Sequence, residues 1–222
     1  MNIDKTISQS ASSALVTNRV LRNTYLLLSM TLFFSAMTAG LSMYLALPPF
    51  GIIITLVGFY GLMFLTSKFS DRALGILFVF ALTGFMGLTL GPILNMYIKA
   101  FSNGHELIMM ALGGTGTIFL GLSAYALTAR KDFSFMGGFL LTGVLVAFLA
   151  GIGAIVFSIP SLSIAVSAMF ILLMSGMILW ETSNIIHGGE TNYIRATVSL
   201  YVSLYNLFLS LLQILGIFGG DD

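Results

Sequence analysis

The stretch ETSNIIHGGETNYIRATVSLYVSLYN, residues Glu181–Asn206, differs from the rest of the chain because it concentrates charged and polar side chains. It contains both signs of charge and a histidine, and it then alternates polar residues with Leu and Val. The whole chain of 222 residues is 58% hydrophobic and only 8% charged, whereas average soluble domains are about 25% charged. This composition indicates an integral membrane protein, so the polar stretch has to be explained inside or beside a bilayer.

Charge-free apolar runs predict seven transmembrane helices, because a helical span needs about 20 apolar residues and the runs lack the alternation of a barrel. The predicted spans are Tyr25–Ala46, Phe50–Ser67, Ala73–Ile98, Leu107–Ala129, Phe133–Ile159, Ser161–Trp180 and Ala196–Gly220. We therefore expect an all-α integral membrane protein. The expected organisation is a flexible polar tail at residues 1–18, followed by a seven-helix transmembrane domain at residues 19–222.

Basic residues predict the orientation, since Lys and Arg are enriched in the short cytoplasmic loops of membrane proteins. Eight of the nine basic residues fall in the N-terminal tail and in the second, fourth and sixth loops. They are Lys5, Arg19, Arg22, Lys68, Arg72, Arg130, Lys131 and Arg195. The loops on the other side contain only Lys99. This asymmetry predicts a cytoplasmic N-terminus, with Asp222 on the far side of the membrane.

The seventh predicted span is polar on two sides. At 100° per residue, one stripe collects Ser199, Ser203, Asn206, Ser210 and Gln213. The opposite side carries Thr197, Tyr201 and Tyr205. Polar groups facing lipid are unfavourable by several kcal/mol, so we expect this helix at the centre, ringed by the other six. The stripe is either interhelical hydrogen-bonding glue or a hydrated path, and both alternatives remain open.

Glu181 ends the sixth predicted span, directly after Trp180, a residue type that favours the membrane interface. Its carboxylate is expected at or just below the cytoplasmic surface. It is either solvated there or partly buried against Arg195 or the polar seventh helix. In the second case Glu181, Arg195, Ser203 and Asn206 form a candidate polar latch, and Glu181 is a candidate pH-sensing group.

The remaining residues exclude several kinds of chemistry. The chain has no cysteine, its lysines all lie in the tail or loops, and no predicted span contains a pair of carboxylates. The two histidines, His105 and His187, fall in loops on opposite sides of the membrane. His187 with Glu190 is a weak pair on a glycine-broken loop, so we expect no metal site. The net charge of +1 argues against nucleic-acid binding. We expect no cofactor and no enzymatic activity.

Four stretches resemble the Bax inhibitor family of seven-span membrane proteins. They are VLRNTYLLLSMTLFFSA, LTGFMGLTLGPILNMY, LSAYALTARKDFSFMGG and LYVSLYNLFLSLLQILG. The resemblance extends from about Arg19 onward and is strongest to bacterial members. It implies two layers of three helices that enclose a central seventh helix. It also implies a bacterial inner-membrane protein that binds the protease FtsH with its partners HflK and HflC, and that both inhibits FtsH and serves as its substrate.

The family also includes pH-sensitive calcium leak channels, which use one aspartate at the end of the sixth helix and another in the seventh. In this chain Glu181 occupies the first position and Ser203 the second. A single carboxylate is a poor divalent-cation site, and this argues against calcium conduction. The protease-modulator interpretation is therefore preferred, with the leak channel as the alternative. Under that interpretation, the tail with Asp4 and Lys5 is the expected degradation handle.

Overall fold

The computed structural model describes the backbone of residues 3–220 and the side chains of residues 16–220. Within these limits the chain forms seven helices and no strand. The helices are α1 (Ile3–Tyr44), α2 (Ile52–Lys68), α3 (Ala73–Ala100), α4 (Gly104–Ala129), α5 (Met136–Val156), α6 (Pro160–Ile186) and α7 (Tyr193–Phe218). The expected all-helical class is therefore present in the described chain.

Most helices lie within a few residues of the predicted spans, but two boundaries differ. Helix α1 begins at Ile3, so helical backbone continues into the segment that we assigned to the tail. Helix α6 continues to Ile186, beyond its predicted end at Trp180. At these two ends the prediction stopped beside charged residues. A helix continues past charges that are exposed, such as Arg19 and Arg22, or that a neighbouring helix accommodates, such as Glu181. The flexibility of the tail stays a prediction. The side chains of Asp4 and Lys5, and the whole of Asp222, lie outside the described residues.

Six of the described helices are long and apolar enough to cross a membrane, and α2 is not one of them. Helix α2 is apolar but has 17 residues, a length of about 26 Å at 1.5 Å per residue. That length is at the lower limit for a hydrocarbon core of about 30 Å. The structure thus establishes several apolar helices of membrane-spanning length, and the count of seven spans stays a prediction.

Helix α7 lies between two groups of three helices. One group has α3 in contact with α1 and α2, and the other has α6 in contact with α4 and α5. Helix α7 contacts every one of these helices except α5, which packs against α6 alone among the described helices. The two three-helix layers stay a prediction, and the predicted ring of six around α7 is wrong for α5. The reason is close packing at Gly143 and Gly176, where Leu173 and Leu140 fill the space of the missing side chains and hold α5 against α6.

Both polar faces of α7 form hydrogen bonds to the surrounding helices. On one face, the Tyr201 hydroxyl lies 2.7 Å from Ser35 Oγ of α1, and the Tyr205 hydroxyl lies 3.2 Å from Thr89 Oγ1 of α3. On the other face, Gln213 Nε2 donates to Ser163 Oγ at 2.6 Å. A helix that needs partners on two sides finds them only between other helices, which accounts for the position of α7.

The contact between α1 and α3 is close because α3 presents glycines to it. A Cβ atom on Gly87 would meet the Ser35 carbonyl and the Thr38 hydroxyl, and one on Gly91 would meet Ser42. Pro92 follows within α3 and has no N–H for the Leu88 carbonyl one turn earlier. The Ser42 hydroxyl of α1 donates to that carbonyl at 2.8 Å. A side chain of one helix thus supplies the hydrogen bond that proline removes from the other.

Candidate functional site

The residues of the expected latch lie on α6 (Glu181) and along the first half of α7 (Arg195, Ser203 and Asn206), whose start is capped by Asn192. The Asn192 side-chain oxygen accepts hydrogen bonds from the backbone N–H groups of Ile194 at 2.9 Å and Arg195 at 3.3 Å. Its side-chain amide donates to Asp71 Oδ1 at 2.9 Å. Asp71 follows the C-terminal end of α2, so the cap also connects the sixth loop to the second.

Arg195 forms an ion pair with Asp71 at 4.0 Å rather than with Glu181. The arginine side chain is 51% exposed and that of Asp71 is 81% exposed. Ion pairs at such exposure contribute about 0–1 kcal/mol. The alternative in which Glu181 is buried against Arg195 is therefore wrong for this structure. Arg195 remains a half-exposed cation.

Glu181 lies inside α6 and is only 4% exposed. It accepts a hydrogen bond from Ser199 Oγ of α7 at 3.2 Å. Of the alternatives considered from the sequence, burial against the polar seventh helix is the one that occurs. Among the described residues, no salt bridge joins Glu181 to a basic group. A buried carboxylate is thus balanced by a hydroxyl, next to the polar stripe.

The rest of the stripe faces protein, as expected, but its members differ in their partners. Gln213 is held by Ser163 and by Ser167 Oγ, which donates to Gln213 Oε1 at 2.8 Å. Ser203 and Ser210 are buried, at 3% and 7% exposure, and Asn206 is partly buried, with its amide donating to the Val202 carbonyl. Gln213 therefore links α6 and α7 by hydrogen bonds, whereas Ser203 and Asn206 line an open space.

That space is a cleft of about 520 Å³ between α2 and α5. No Cα atom of α2 lies within 8 Å of a Cα atom of α5, and α6 and α7 contribute to its walls and floor. Its polar lining on α7 consists of Arg195, Ser199, Ser203 and Asn206. Its apolar lining is rich in Met and Phe and includes Phe59, Met63, Met86, Phe148, Phe170, Met174 and Met177. We call this space the α2–α5 cleft. Sequence periodicity identified its floor but could not show that α2 and α5 leave it open.

A second polar cluster, which sequence reasoning missed, joins the α4–α5 loop to the end of α6. Ser183 Oγ donates to the Lys131 carbonyl at 3.1 Å and accepts from the Phe133 N–H at 3.0 Å. His187 Nδ1 lies 2.8 Å from the Ser183 carbonyl, and His187 Nε2 lies 3.2 Å from the Arg130 carbonyl. The polar residues after Trp180 thus anchor a neighbouring loop. The only sequence signal was their concentration in one segment.

The same loop contains Asp132, which is fully exposed. Its carboxylate accepts hydrogen bonds from the side chain and the backbone N–H of Ser134. The side-chain hydrogen bond, followed by the backbone one, lowers the pKa of Asp132 from its ordinary value. The Asp-Phe-Ser sequence therefore has a structural role in shaping the turn before α5.

Within the described part of the chain, no group of three or more His, Asp or Glu side chains is arranged to hold a metal ion. His187 and Glu190 in particular have separate partners, the α4–α5 loop and the Asn192 N–H. The described site is thus a buried carboxylate, a line of hydroxyl and amide groups, and a cleft that opens sideways.

Comparison with known proteins adds an independent line of evidence. The family model described as "Inhibitor of apoptosis-promoting Bax1" matches residues 17–220. The "Modulator of FtsH protease YccA" of Escherichia coli K12 is 57% identical over 221 residues, covering 99% of this chain and 100% of that protein. The "Inner membrane protein YccA" of Escherichia coli O6:H1 matches to the same extent. An uncharacterized protein of Pseudomonas aeruginosa is 56% identical over 203 residues, 91% of each chain.

Proposed function

This chain belongs to the Bax inhibitor family, and on that basis we propose that it binds the ATP-dependent membrane protease FtsH and inhibits it. One observation carries the proposal: the chain is 57% identical, over 99% of its length, to a protein named as a modulator of that protease. We extend the proposal to the HflK and HflC partners of the protease, which the family resemblance implies. We also propose that the protein acts without enzymatic activity of its own.

The proposed mechanism is slow extraction of a tightly packed helical bundle. A membrane protease of this kind engages an accessible segment and then pulls helices from the bilayer. The N-terminal segment with Asp4 and Lys5 is polar and would serve as the degradation handle. The bundle resists extraction because α1 is hydrogen-bonded to α3, α6 and α7. A substrate that is engaged but extracted slowly occupies the protease and so protects other membrane proteins.

The proposed topology has seven spans, with a cytoplasmic N-terminus and a periplasmic C-terminus in the inner membrane. The asymmetry of the basic residues supports it, as does the apolar character of α2, which reaches the lower limit of spanning length. Reporter fusions at the two termini test it directly. Termini on the same side of the membrane would contradict seven spans.

The decisive experiment is affinity purification of the tagged protein from native membranes under mild detergent. FtsH, with HflK and HflC, is expected to be enriched well above its level with an unrelated seven-helix membrane protein. In the same cells, overproduction should lengthen the half-life of a membrane protein that FtsH degrades. Purification without FtsH, together with unchanged half-lives, would refute the proposal.

A pH-sensitive cation leak is the second candidate, and the buried Glu181 beside the α2–α5 cleft is the observation in its favour. Against it stands Ser203, since one carboxylate with hydroxyls is a weak site for a divalent cation. Purified protein in liposomes is expected to pass little calcium, and Ser203→Asp to increase the flux. Robust calcium flux through the unmodified protein, abolished by Glu181→Gln, would instead establish the channel.

A further inference from the structure

We propose that the α2–α5 cleft is a binding site for an anionic phospholipid, which enters sideways from the bilayer and places its phosphate near Arg195. The inference is independent of the protease and concerns what occupies the cleft in a membrane. Its starting point is the absence of contact between α2 and α5 among the described helices. An opening between two apolar helices gives lipid direct access, with no need to unfold or to displace a helix.

The polar lining of the cleft runs from a cation to a hydroxyl. Arg195 is the first of its residues on α7, and Ser67, which Lys68 follows in sequence, is the last of its residues on α2. Ser203 lies eight residues further along α7, about 12 Å deeper by helical rise. A phosphate and its ester carbonyls are closer together than this, so the long Arg195 side chain must hold the phosphate inside the entrance for an ester carbonyl to meet the Ser203 hydroxyl. The ion pair between Arg195 and Asp71, at 4.0 Å, is exposed and therefore weak, so Arg195 can also bind a phosphate.

Ser203 supplies the second independent observation. It is 3% exposed and lines the cleft. Within the described part of the chain its hydroxyl forms no hydrogen bond, and its oxygen is not among the atoms that the protein encloses completely. A hydroxyl that borders an accessible cleft without a protein partner can form a hydrogen bond to a molecule in the cleft. The neighbouring Asn206 uses its amide N–H on Val202 and keeps its side-chain oxygen free. The floor thus offers hydrogen-bonding groups that the protein itself leaves unused.

The size of the cleft suits a lipid chain. Its lining on α2 runs from Thr55 to Ser67, about 18 Å by helical rise. The cleft holds about 520 Å³, within the range of roughly 300–1,000 Å³ that is typical of ligand sites. Its shape is therefore long and narrow, as an acyl chain requires.

The apolar walls also suit a flexible chain. Met63, Met174 and Met177 lie along them, and unbranched, polarizable methionine side chains adapt to irregular apolar partners. Phe59 and Phe148 face the same space from α2 and α5. The structure thus combines a cationic entrance, a deeper hydroxyl without a protein partner, and adaptable apolar walls, and an anionic phospholipid matches all three.

The test uses the full-length protein in bilayers of phosphatidylethanolamine that contain a small fraction of phosphatidylglycerol with a photoactivatable group in its acyl chain. A matched set contains photoactivatable phosphatidylcholine, which has no net charge. After illumination, the labelled residues are mapped by mass spectrometry. We expect labels on cleft residues such as Phe148, Met177 and Val202, and stronger labelling by phosphatidylglycerol. Arg195→Gln should reduce that preference about fivefold.

Two variants distinguish the cleft from the general lipid-facing surface. Leu145→Trp fills the cleft and should abolish the labels there. Leu141→Trp adds the same side chain to the same helix, at an exposed position outside the cleft lining, and should leave the labels unchanged. Ser203→Ala changes little volume and should weaken cleft labelling by both lipids, so the test stands even if Leu145→Trp fails to fold. Labels confined to outer faces and unaffected by Leu145→Trp would overturn the proposal. Crosslinking of the cleft residues to a helix of another protein in native membranes would also overturn the proposal.

Discussion

The hydrogen bond from Ser42 to the Leu88 carbonyl should stabilise the fold measurably, because Pro92 leaves that carbonyl without a backbone donor. Ser42 is fully buried and its Oγ lies 2.8 Å from the oxygen. An unsatisfied buried carbonyl destabilises by about 1–3 kcal/mol. Interhelical hydrogen bonds in membranes average about 0.6 kcal/mol, with a maximum near about 1.7 kcal/mol. We expect Ser42→Ala to lower the free energy of unfolding by about 1–1.5 kcal/mol, because the helix offers no replacement donor.

The double variant isolates the cause. Pro92→Ala restores an N–H that can donate to the Leu88 carbonyl. In that background Ser42→Ala should lower the free energy of unfolding by no more than about 0.5 kcal/mol. The coupling energy between the two positions is then about 0.5–1 kcal/mol. Ser29→Ala is the matched control in α1, because its hydroxyl is exposed and donates to the Tyr25 carbonyl of its own helix at 2.8 Å.

Equilibrium unfolding in mixed micelles measures these values, and the single tryptophan, Trp180, reports on the packing of α6. Ser29→Ala should stay within about 0.5 kcal/mol of the parent protein. If Ser42→Ala lowered the free energy of unfolding equally in the parent protein and in the Pro92→Ala background, the hydrogen bond to the Leu88 carbonyl would not be the cause of the lost stability. Compensation by α1 for the proline of α3 would then be refuted.

Three further predictions concern packing, pH and turnover. Gly87→Leu should destabilise the protein by about 1–3 kcal/mol through overpacking against Ser35 and Thr38. Gly113→Leu is the control, because a Cβ there meets no atom within 4 Å, and it should leave the unfolding midpoint nearly unchanged. Equal effects of the two variants would contradict the close α1–α3 contact. The folded pKa of Asp132 is lowered, so its contribution to loop stability is fully present above the unfolded pKa of about 3.9 and is lost as the pH falls through the lowered value. Amide exchange at Ser134 should therefore accelerate on acidification in the parent protein, and the Asp132→Asn variant should not show this acceleration. Deleting about the first ten residues, the proposed handle, should preserve the fold and the association with FtsH but lengthen the half-life in a pulse-chase measurement; unchanged turnover would exclude the handle.

Hydrophobicity and charge predicted most of the helices, because a membrane requires long apolar segments and places few charges within them. The two-sided polarity of α7 likewise predicted its contacts with both groups of helices. The same reasoning failed at α5, since an apolar helix carries no signal about which neighbour it faces. Close packing at glycines of α5 and α6, such as Gly143 and Gly176, decides that.

The candidate site was predictable in its residues but only partly in their arrangement. Periodicity placed Ser199, Ser203 and Asn206 on one stripe. It could not show that Ser199 binds Glu181, that Arg195 pairs with Asp71, or that Ser203 faces open space. These differences depend on the relative rotation of helices that are distant in sequence. The anchoring role of Ser183 and His187 was missed for the same reason, because their partners lie in the α4–α5 loop.

The hydrogen bonds of α1 have a mechanical consequence. They involve Thr24, Tyr25, Ser35, Ser42 and Met43 and extend along much of the helix, with partners on α3, α6 and α7. A force applied to the N-terminal end of α1 along its axis would load these contacts in shear, all at once, rather than peel them apart one after another. In shear the load is shared, so the rupture force grows with the number of contacts. A pulling motor would therefore meet its largest resistance at the first helix, before any later helix had moved.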